Sequence, residues 1–254
     1  MDYTRNWPYI SKSTQDRLTH KRIVLCGAGL GSIIAEIAVR TGFRNFLLID
    51  GDTVEAHNLN RQNYVEEDIG KPKVEALKKR LMAIDHGLNI DCQNKYVTRY
   101  DGKNLLQASD IVINCFDFDR QDFLSFDDIA KKLGLLIIHP FNLCWAGGAI
   151  ALTPESDDFS SLPKNEDVMQ SLVKHISMAS GNCMPWLQKK LEYLATRRVD
   201  YIAQLSVGAI YSATLTIQIM VRYLSELEIR TYPFVYIAPN LEHMVDNLTS
   251  IGFD

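Results

Sequence analysis

The residues of this chain that could do chemistry stand at the ends of two apolar runs. "RIVLCGAGLGS" closes on Gly27, Gly29 and Gly31, and "FRNFLLIDGDTVEAHNLNRQ" closes on Asp50, with Asp52, Asn58 and Arg61 after it. Glycines at the mouth of a strand let backbone N–H groups approach a ligand because no Cβ intervenes, and the N-terminus of the next helix favours an anion. An acid at the end of the following strand is placed to take the hydroxyls of a ribose. Together these features imply a nucleotide, and dinucleotide enzymes, methyl-transfer enzymes and mononucleotide sites share them alike. The glycine spacing departs from G-x-G-x-x-G, because Ser32 stands where the third glycine would fall. One acid after such a strand is ordinary; a second acid, an Asn and an Arg close behind it need a further explanation.

The elements that must position these residues alternate. "KRIVLC" reads as a strand, "IIAEIAVRT" as a helix stopped by Gly42, and "FRNFLLID" as a second strand, a βαβ unit with a right-handed crossover. "KPKVEALKKRLMAI" repeats apolar residues at Val74, Leu77, Leu81 and Ile84, one face of a helix. "NIDCQNKYV" and "DIVINCFD" read as strands around a short helix in "DGKNLLQAS", and "FLSFDDIAKKLG" and "LLIIHPF" add a helix and a strand. Beyond Asn142, "WAGGAIALTP" is a strand with a glycine bend, and "ESDDFSSLPKNED" is loop-like. Residues 168–198 form a helical or irregular insert broken by Gly181 and Pro185. "SVGAIYSATLTIQIMVRYLSEL" is a long helix and "FVYIAP" a closing strand. The expected class is α/β and Rossmann-like: a mostly parallel sheet with helices on both faces and an antiparallel extension in the C-terminal half.

Composition narrows the function. At 254 residues with 46% hydrophobic and 23% charged content, the chain can bury a sizeable core as one globular domain. Its net charge of −4 argues against a protein built mainly to hold nucleic acid. No apolar run reads as a membrane span, since the stretches at 133–138 and 208–221 are short or interrupted. The N-terminus lacks the signal-peptide pattern, so a cytoplasmic location is expected. Five scattered cysteines contain no C-x-x-C pair, which leaves neither a four-cysteine zinc site nor a disulfide framework to expect.

The order of glycine loop, "DGDTVEAHNLNRQ", "IGKPKVEALKKRL" and "INCFD" resembles the adenylating E1-like superfamily: the molybdopterin- and thiamine-pathway activating enzymes and the ubiquitin-activating enzymes. Those share a glycine loop, D-x-D-x-V, N-L-x-R-Q, G-x-x-K and an Asp at the end of a later strand. The resemblance is firm to about residue 150 and looser beyond. It implies one adenylation domain over 1–254, comprising an N-terminal arm (1–20), a nucleotide-binding core (21–150), an insert (155–200) and a closing helix and strand (201–254). It implies ATP and Mg²⁺ as cofactors, with Asp50 at the ribose, Asp52 beside the nucleotide, and Gly27, Gly29 and Gly31 at the loop. Asn58, Arg61 and Lys73 would face the phosphates, and Asp117 would hold Mg²⁺. "YTRN" is similar to an arm whose Arg, here Arg5, reaches the partner's ATP across a homodimer. The implied partner is a small ubiquitin-like protein or peptide with a free C-terminal carboxylate.

The sequence departs from that pattern in three places. "GAGLGS" is one glycine shorter than G-x-G-G-x-G, Phe116 and Phe118 flank Asp117 where the family has Thr and Asn, and the zinc cysteine pairs are missing. Cys183 in "SGNCMPW" is the best placed candidate to take an acyl group as a thioester. Three other functions are weighed against adenylation of a protein or peptide. A tRNA-modifying branch would need a basic face. An NAD(P) oxidoreductase would leave "NLNRQ" unexplained. A non-catalytic partner subunit would fit the shortened loop.

Overall fold

In the computed structural model the described residues are 1–98, 101–108, 110–116, 122–161, 168–179 and 204–239. A seven-stranded sheet runs through the chain: β1 (Arg22–Cys26), β2 (Asn45–Ile49), β3 (Asn89–Gln93), β4 (Asp110–Asn114), β5 (Leu136–Leu143), β6 (Ala146–Leu152) and β7 (Tyr236–Ala238), in the spatial order 3-2-1-4-5-6-7. The first five strands are parallel, and β6 and β7 are antiparallel additions. Thus the parallel core and the antiparallel C-terminal extension are both present.

The middles of the central strands are apolar because both sheet faces are covered, with buried Asp110, Asn114 and His139 as the polar exceptions. Ile23 and Leu25 of β1 point into one core, beneath α1 (Lys12–His20), α2 (Leu30–Thr41), α3 (Lys73–Ile84) and a long helix Ser206–Leu224. Val24 and Cys26 point into the other, with Phe126 and Ala130 of Asp122–Lys132 and Leu172, Val173 and Ile176 of Val168–Ala179. With the short helix Gly102–Leu105 counted as α4, these last are α5 (Asp122–Lys132), α6 (Val168–Ala179) and α7 (Ser206–Leu224).

Two elements differ from expectation. The segment read as an arm contains α1, capped by Ser11 Oγ, which accepts the Thr14 N–H at 3.1 Å. Its buried residues are Thr14, Gln15 and Leu18, so only one apolar side chain marks a helix that the cap has to start. The 19-residue α7 is long and apolar enough to cross a membrane by composition, unlike the sequence expectation, but half of it is buried and it packs along β5 and β6. Gly208 permits that approach: a Cβ there would lie 2.5 Å from the Ala146 and Cys144 carbonyl oxygens.

A polar chain is buried beneath the end of β4. His139 Nε2 lies 2.9 Å from Asp127 Oδ2, Asn114 Nδ2 donates to Asp127 Oδ1 at 3.0 Å, and the Phe116 N–H donates to Asn114 Oδ1 at 3.2 Å. The strand end that leads to Asp117 is therefore fixed from inside the core as far as Phe116.

Candidate nucleotide-binding site

The site is built at the C-terminal ends of β1 and β2. Gly27 has φ +91°, and a Cβ there would sit 2.8 Å from Cys115 O, so glycine is required both by conformation and by space. The turn is tied on both sides: Gly27 N–H donates to Ile49 O and Cys115 N–H to Cys26 O, each at 2.8 Å. Gly29 caps α2, and a Cβ on it would press on the Gln62 amide at 3.2 Å. Gly31 does something else. It is buried in the first turn of α2, where the space of a side chain is filled by Leu25 at 2.9 Å, so its part is to let α2 lie close on β1 rather than to face a ligand.

Ser32, at the missing third glycine, stitches the loop together. Its hydroxyl donates to Gly29 O at 2.7 Å and accepts Asn63 N–H at 2.9 Å. Tyr64 completes the seam by donating its hydroxyl to Ala28 O at 2.7 Å, and burial pushes its phenol well above the ordinary tyrosine value. Gln62 lies between them, with Oε1 buried and without a hydrogen-bond partner among the described residues. A water or a ligand hydroxyl at this spot would satisfy it.

The acid cluster joins that loop to α3. Asp50 is buried, and its two carboxylate oxygens accept the N–H groups of Ala28 (2.6 Å) and Asp52 (2.8 Å). Burial pushes its carboxyl above the usual carboxylate range, against the pull of the Asp52 N–H, the Lys73 charge and the Ala28 N–H. Lys73, the first residue of α3, is brought alongside by backbone bonds: Lys73 N–H to Asp52 O at 3.0 Å and Val54 N–H to Lys71 O at 2.9 Å. Its ammonium donates to Asp52 Oδ2 at 2.9 Å, and Tyr96 hydroxyl donates to Asp52 Oδ1 at 2.7 Å. The Tyr96 ring lies against Gly51, between the two acids.

Arg61 follows a tight turn in which Asn58 acts as a cap. Asn58 is buried, and its Oδ1 accepts the Glu55 N–H at 3.0 Å, so its side chain shapes the loop and does not face outward to phosphates as the sequence suggested. Arg61 itself is half-buried. Its Nη1 donates to His57 O at 2.7 Å and to Asn60 Oδ1 at 2.8 Å, and its Nε donates to Gln204 Oε1 at 3.0 Å.

Gly27, Gly29, Asp50, Asp52 and Lys73 are thus gathered around one seam, with Arg61 adjoining it in the chain through Gln62, and Arg5 is not among them. Arg5 is exposed in a turn at Thr4–Asn6 that is tied to the far end of α2 by Tyr3 hydroxyl to Val39 O (3.1 Å) and Asn6 Nδ2 to Thr41 O (3.2 Å). The 12 residues of α2 set it about 18 Å from the glycine loop. Asp117 and Cys183 lie outside the described residues. Among the described residues no group of three or more His, Cys, Asp or Glu side chains could hold a metal ion. Sequence reasoning missed Ser32, Gln62, Tyr64, Tyr96 and Gln204. The signals for them were the polar residue in place of a glycine at position 32 and the place of Gln62 at the end of "NLNRQ".

The arrangement sets a glycine turn beside a lysine, with acids held at the end of β2 and a second cation, Arg61, on the loop that follows. A family model, that of the ThiF family, matches residues 2–248. The sulfur carrier protein ThiS adenylyltransferase of Bacillus subtilis is 30% identical over 178 residues, 68% of this chain and 50% of its own length. The tRNA threonylcarbamoyladenosine dehydratase 2 of Saccharomyces cerevisiae is 31% identical over 117 residues, 44% of this chain and 26% of its own. The crystal structure of PaaA superposes with a TM-score of 0.67 at 18% identity, covering 92% of this chain and 64% of that one. Escherichia coli MccB with ATP superposes at 0.63 and 18%, covering 84% and 59%. At such identities the likeness is one of fold. The chain spans half or less of the length of these two curated relatives.

Proposed function

We propose, from the premise that this chain belongs to the ThiF family, that it is an ATP-dependent adenylyltransferase activating the C-terminal carboxylate of a small ubiquitin-like protein or a peptide. The observation that carries this is the seam itself: a glycine turn that only glycine can make, an acid pinned to it, and Lys73 brought beside it from α3, with Arg61 on the same loop next to Gln62, whose amide lies against Gly29. Named relatives include adenylyltransferases of sulfur carrier proteins, and MccB, which shares the fold, is known with ATP and with MccA.

The chemistry asked of these residues is modest in kind. A carboxylate oxygen attacks the α-phosphorus of ATP and the bond to pyrophosphate breaks, so two anions must meet while charge grows on the leaving group. Lys73 and Arg61 offset the repulsion and stabilise that charge in a partly dry site. The attacking carboxylate is ionised at neutral pH, so no general base is needed. Gly27 lets the backbone come close to the phosphates, and Asp50 takes the ribose. Asp117 would hold Mg²⁺, which supplies further neutralisation of the phosphates when bound. Arg5, too far to serve its own chain, would serve the nucleotide of a second copy in a homodimer.

The test is pyrophosphate exchange. Purified protein given ATP, Mg²⁺ and labelled pyrophosphate incorporates label into ATP only when a small protein or peptide with a free C-terminal carboxylate is present. Absence of exchange with every such carboxylate, together with unchanged ATP affinity in Arg61→Ala and Lys73→Ala, sinks the proposal. The yeast dehydratase relative favours a second substrate, a carboxyl group on a modified adenosine of tRNA. Salt-sensitive binding of bulk tRNA in a gel shift, with exchange that depends on tRNA and on no peptide, would select it.

A further inference from the structure

Arg61 is held by the protein itself on two of its three guanidinium nitrogens. Nη1 is fixed by its own loop, through His57 O and Asn60 Oδ1, and Nε by a residue 143 positions away, Gln204. Nη2 has no hydrogen bond among the described residues. A guanidinium fixed in this way has lost much of the freedom that a phosphate would otherwise have to remove, and it keeps one nitrogen, with two N–H donors, for an anion.

Gln204 is itself well anchored. The next residue, Leu205, has its carbonyl oxygen held by Asn142 Nδ2 at 2.8 Å, at the end of β5, while Asn142 Oδ1 accepts the Cys144 N–H at 2.8 Å. Gly208, one turn into α7, packs against the backbone of Cys144 and Ala146. The acceptor offered to Arg61 therefore stands on the corner between β5 and β6.

The chemical type of the acceptor also matters. A carboxylate at position 204 would hold Nε more strongly but would cancel the charge that draws a phosphate. A neutral amide oxygen holds it and leaves the charge intact. We propose that Gln204 is a positioning residue for Arg61, orienting its guanidinium from the root of α7 so that Nη2 and the whole positive charge remain available to a polyphosphate. This rests on the proposed role of Arg61 at the phosphates.

Equilibrium dissociation constants for ATP and for inorganic tripolyphosphate test it, measured on the wild type, Gln204→Ala, Gln204→Glu, Arg61→Ala and the Gln204→Ala/Arg61→Ala double variant. Gln204→Ala should weaken both ligands about 3- to 10-fold, the scale of a lost hydrogen bond to a charged group partly replaced by water. Gln204→Glu should weaken them more, although it restores the contact. In the Arg61→Ala background Gln204→Ala should change neither ligand by more than about 1.5-fold, because a residue acting through Arg61 has nothing left to act on. An equal loss with and without Arg61, or stronger binding by Gln204→Glu, overturns the proposal while leaving Arg61 at the phosphates. Wild-type affinity in Arg61→Ala removes both.

Discussion

Replacing Lys73 with Met separates a phosphate ligand from a structural cation. The side chain is 9% exposed and its ammonium sits 2.9 Å from Asp52 Oδ2, whose own side chain is 45% exposed. Met keeps most of the buried stem and removes the charge. A pair with one partner this open to water contributes about 0.2–1 kcal/mol, so urea denaturation should show a loss of no more than ~1 kcal/mol. Nucleotide binding should suffer far more. A hydrogen bond from a charged donor to phosphate is worth about 1.5–3 kcal/mol, which is roughly 10- to 150-fold in the dissociation constant for ATP. Equilibrium dialysis or calorimetry at fixed ionic strength measures it, and raising the salt should narrow the gap between wild type and variant. The reasoning fails if Lys73→Met unfolds several kcal/mol more easily while binding ATP within twofold of the wild type, for Lys73 would then be a strut and not a ligand.

Three further outcomes follow from the geometry. Gly27→Ala places a Cβ at φ +91° and 2.8 Å from a backbone carbonyl that cannot swing away, so a stability loss of about 2–4 kcal/mol in urea and weaker ATP binding are expected; a loss under ~0.5 kcal/mol would mean the turn relaxes freely. The Lys95 ammonium and the Thr98 N–H hold the Asp101 carboxyl down to about 2, so the stabilisation it gives is complete above the unfolded value of 3.8 and is lost as pH falls toward 2. Asp101→Asn should accordingly be less stable than wild type at neutral pH, with the difference closing between about pH 4 and 2; a gap independent of pH contradicts this. Finally, Arg5→Ala and Lys73→Met should each be poorly active alone, yet refolding them together should restore about a quarter of wild-type exchange, since half of the dimers are mixed and each of those has one complete site. No recovery on mixing removes Arg5 from the partner's site.

The alternation of strands and helices was legible because β1, β2, β4 and β5 are covered on both faces and so appear as unbroken apolar runs, while α2 and α3 carry one apolar stripe each. Helix α1 was not, because Leu18 is its one buried apolar side chain and Ser11 its main start signal. At the site, the residues that show in sequence are those whose part is set by their own type and place at a strand end or a helix start: Gly27, Asp50 and Lys73. Asn58 and Gly31 also stood out, but what each does depends on what lies opposite. Asn58 turns in to cap its own loop and Gly31 meets Leu25. Tyr64 and Gln204 act through hydrogen bonds to partners 36 and 143 residues away, as Ser32 does in its bond to Asn63 31 residues on, and no local pattern encodes such a bond.

The two acids at the end of β2 divide between a fixed and an exchangeable role. Both oxygens of Asp50 are engaged by backbone N–H groups of the loop and of Asp52, and the residue is 8% exposed, so it cannot turn away without breaking the glycine seam. Asp52 is open to water. One of its oxygens is held by the Tyr96 hydroxyl and the other by Lys73, and water can replace the ammonium there at little cost. A polyphosphate competing for Lys73 therefore draws it from Asp52 and not from the neighbourhood of Asp50. The arrangement holds a buried lysine in place beside Asp52 and lets it move a short way toward a stronger anion. On this ground Asp52→Asn, which weakens the competitor and leaves Asp50 untouched, should bind tripolyphosphate more tightly than the wild type. Weaker binding would show that Asp52 holds Lys73 in position for the phosphate rather than contending for it.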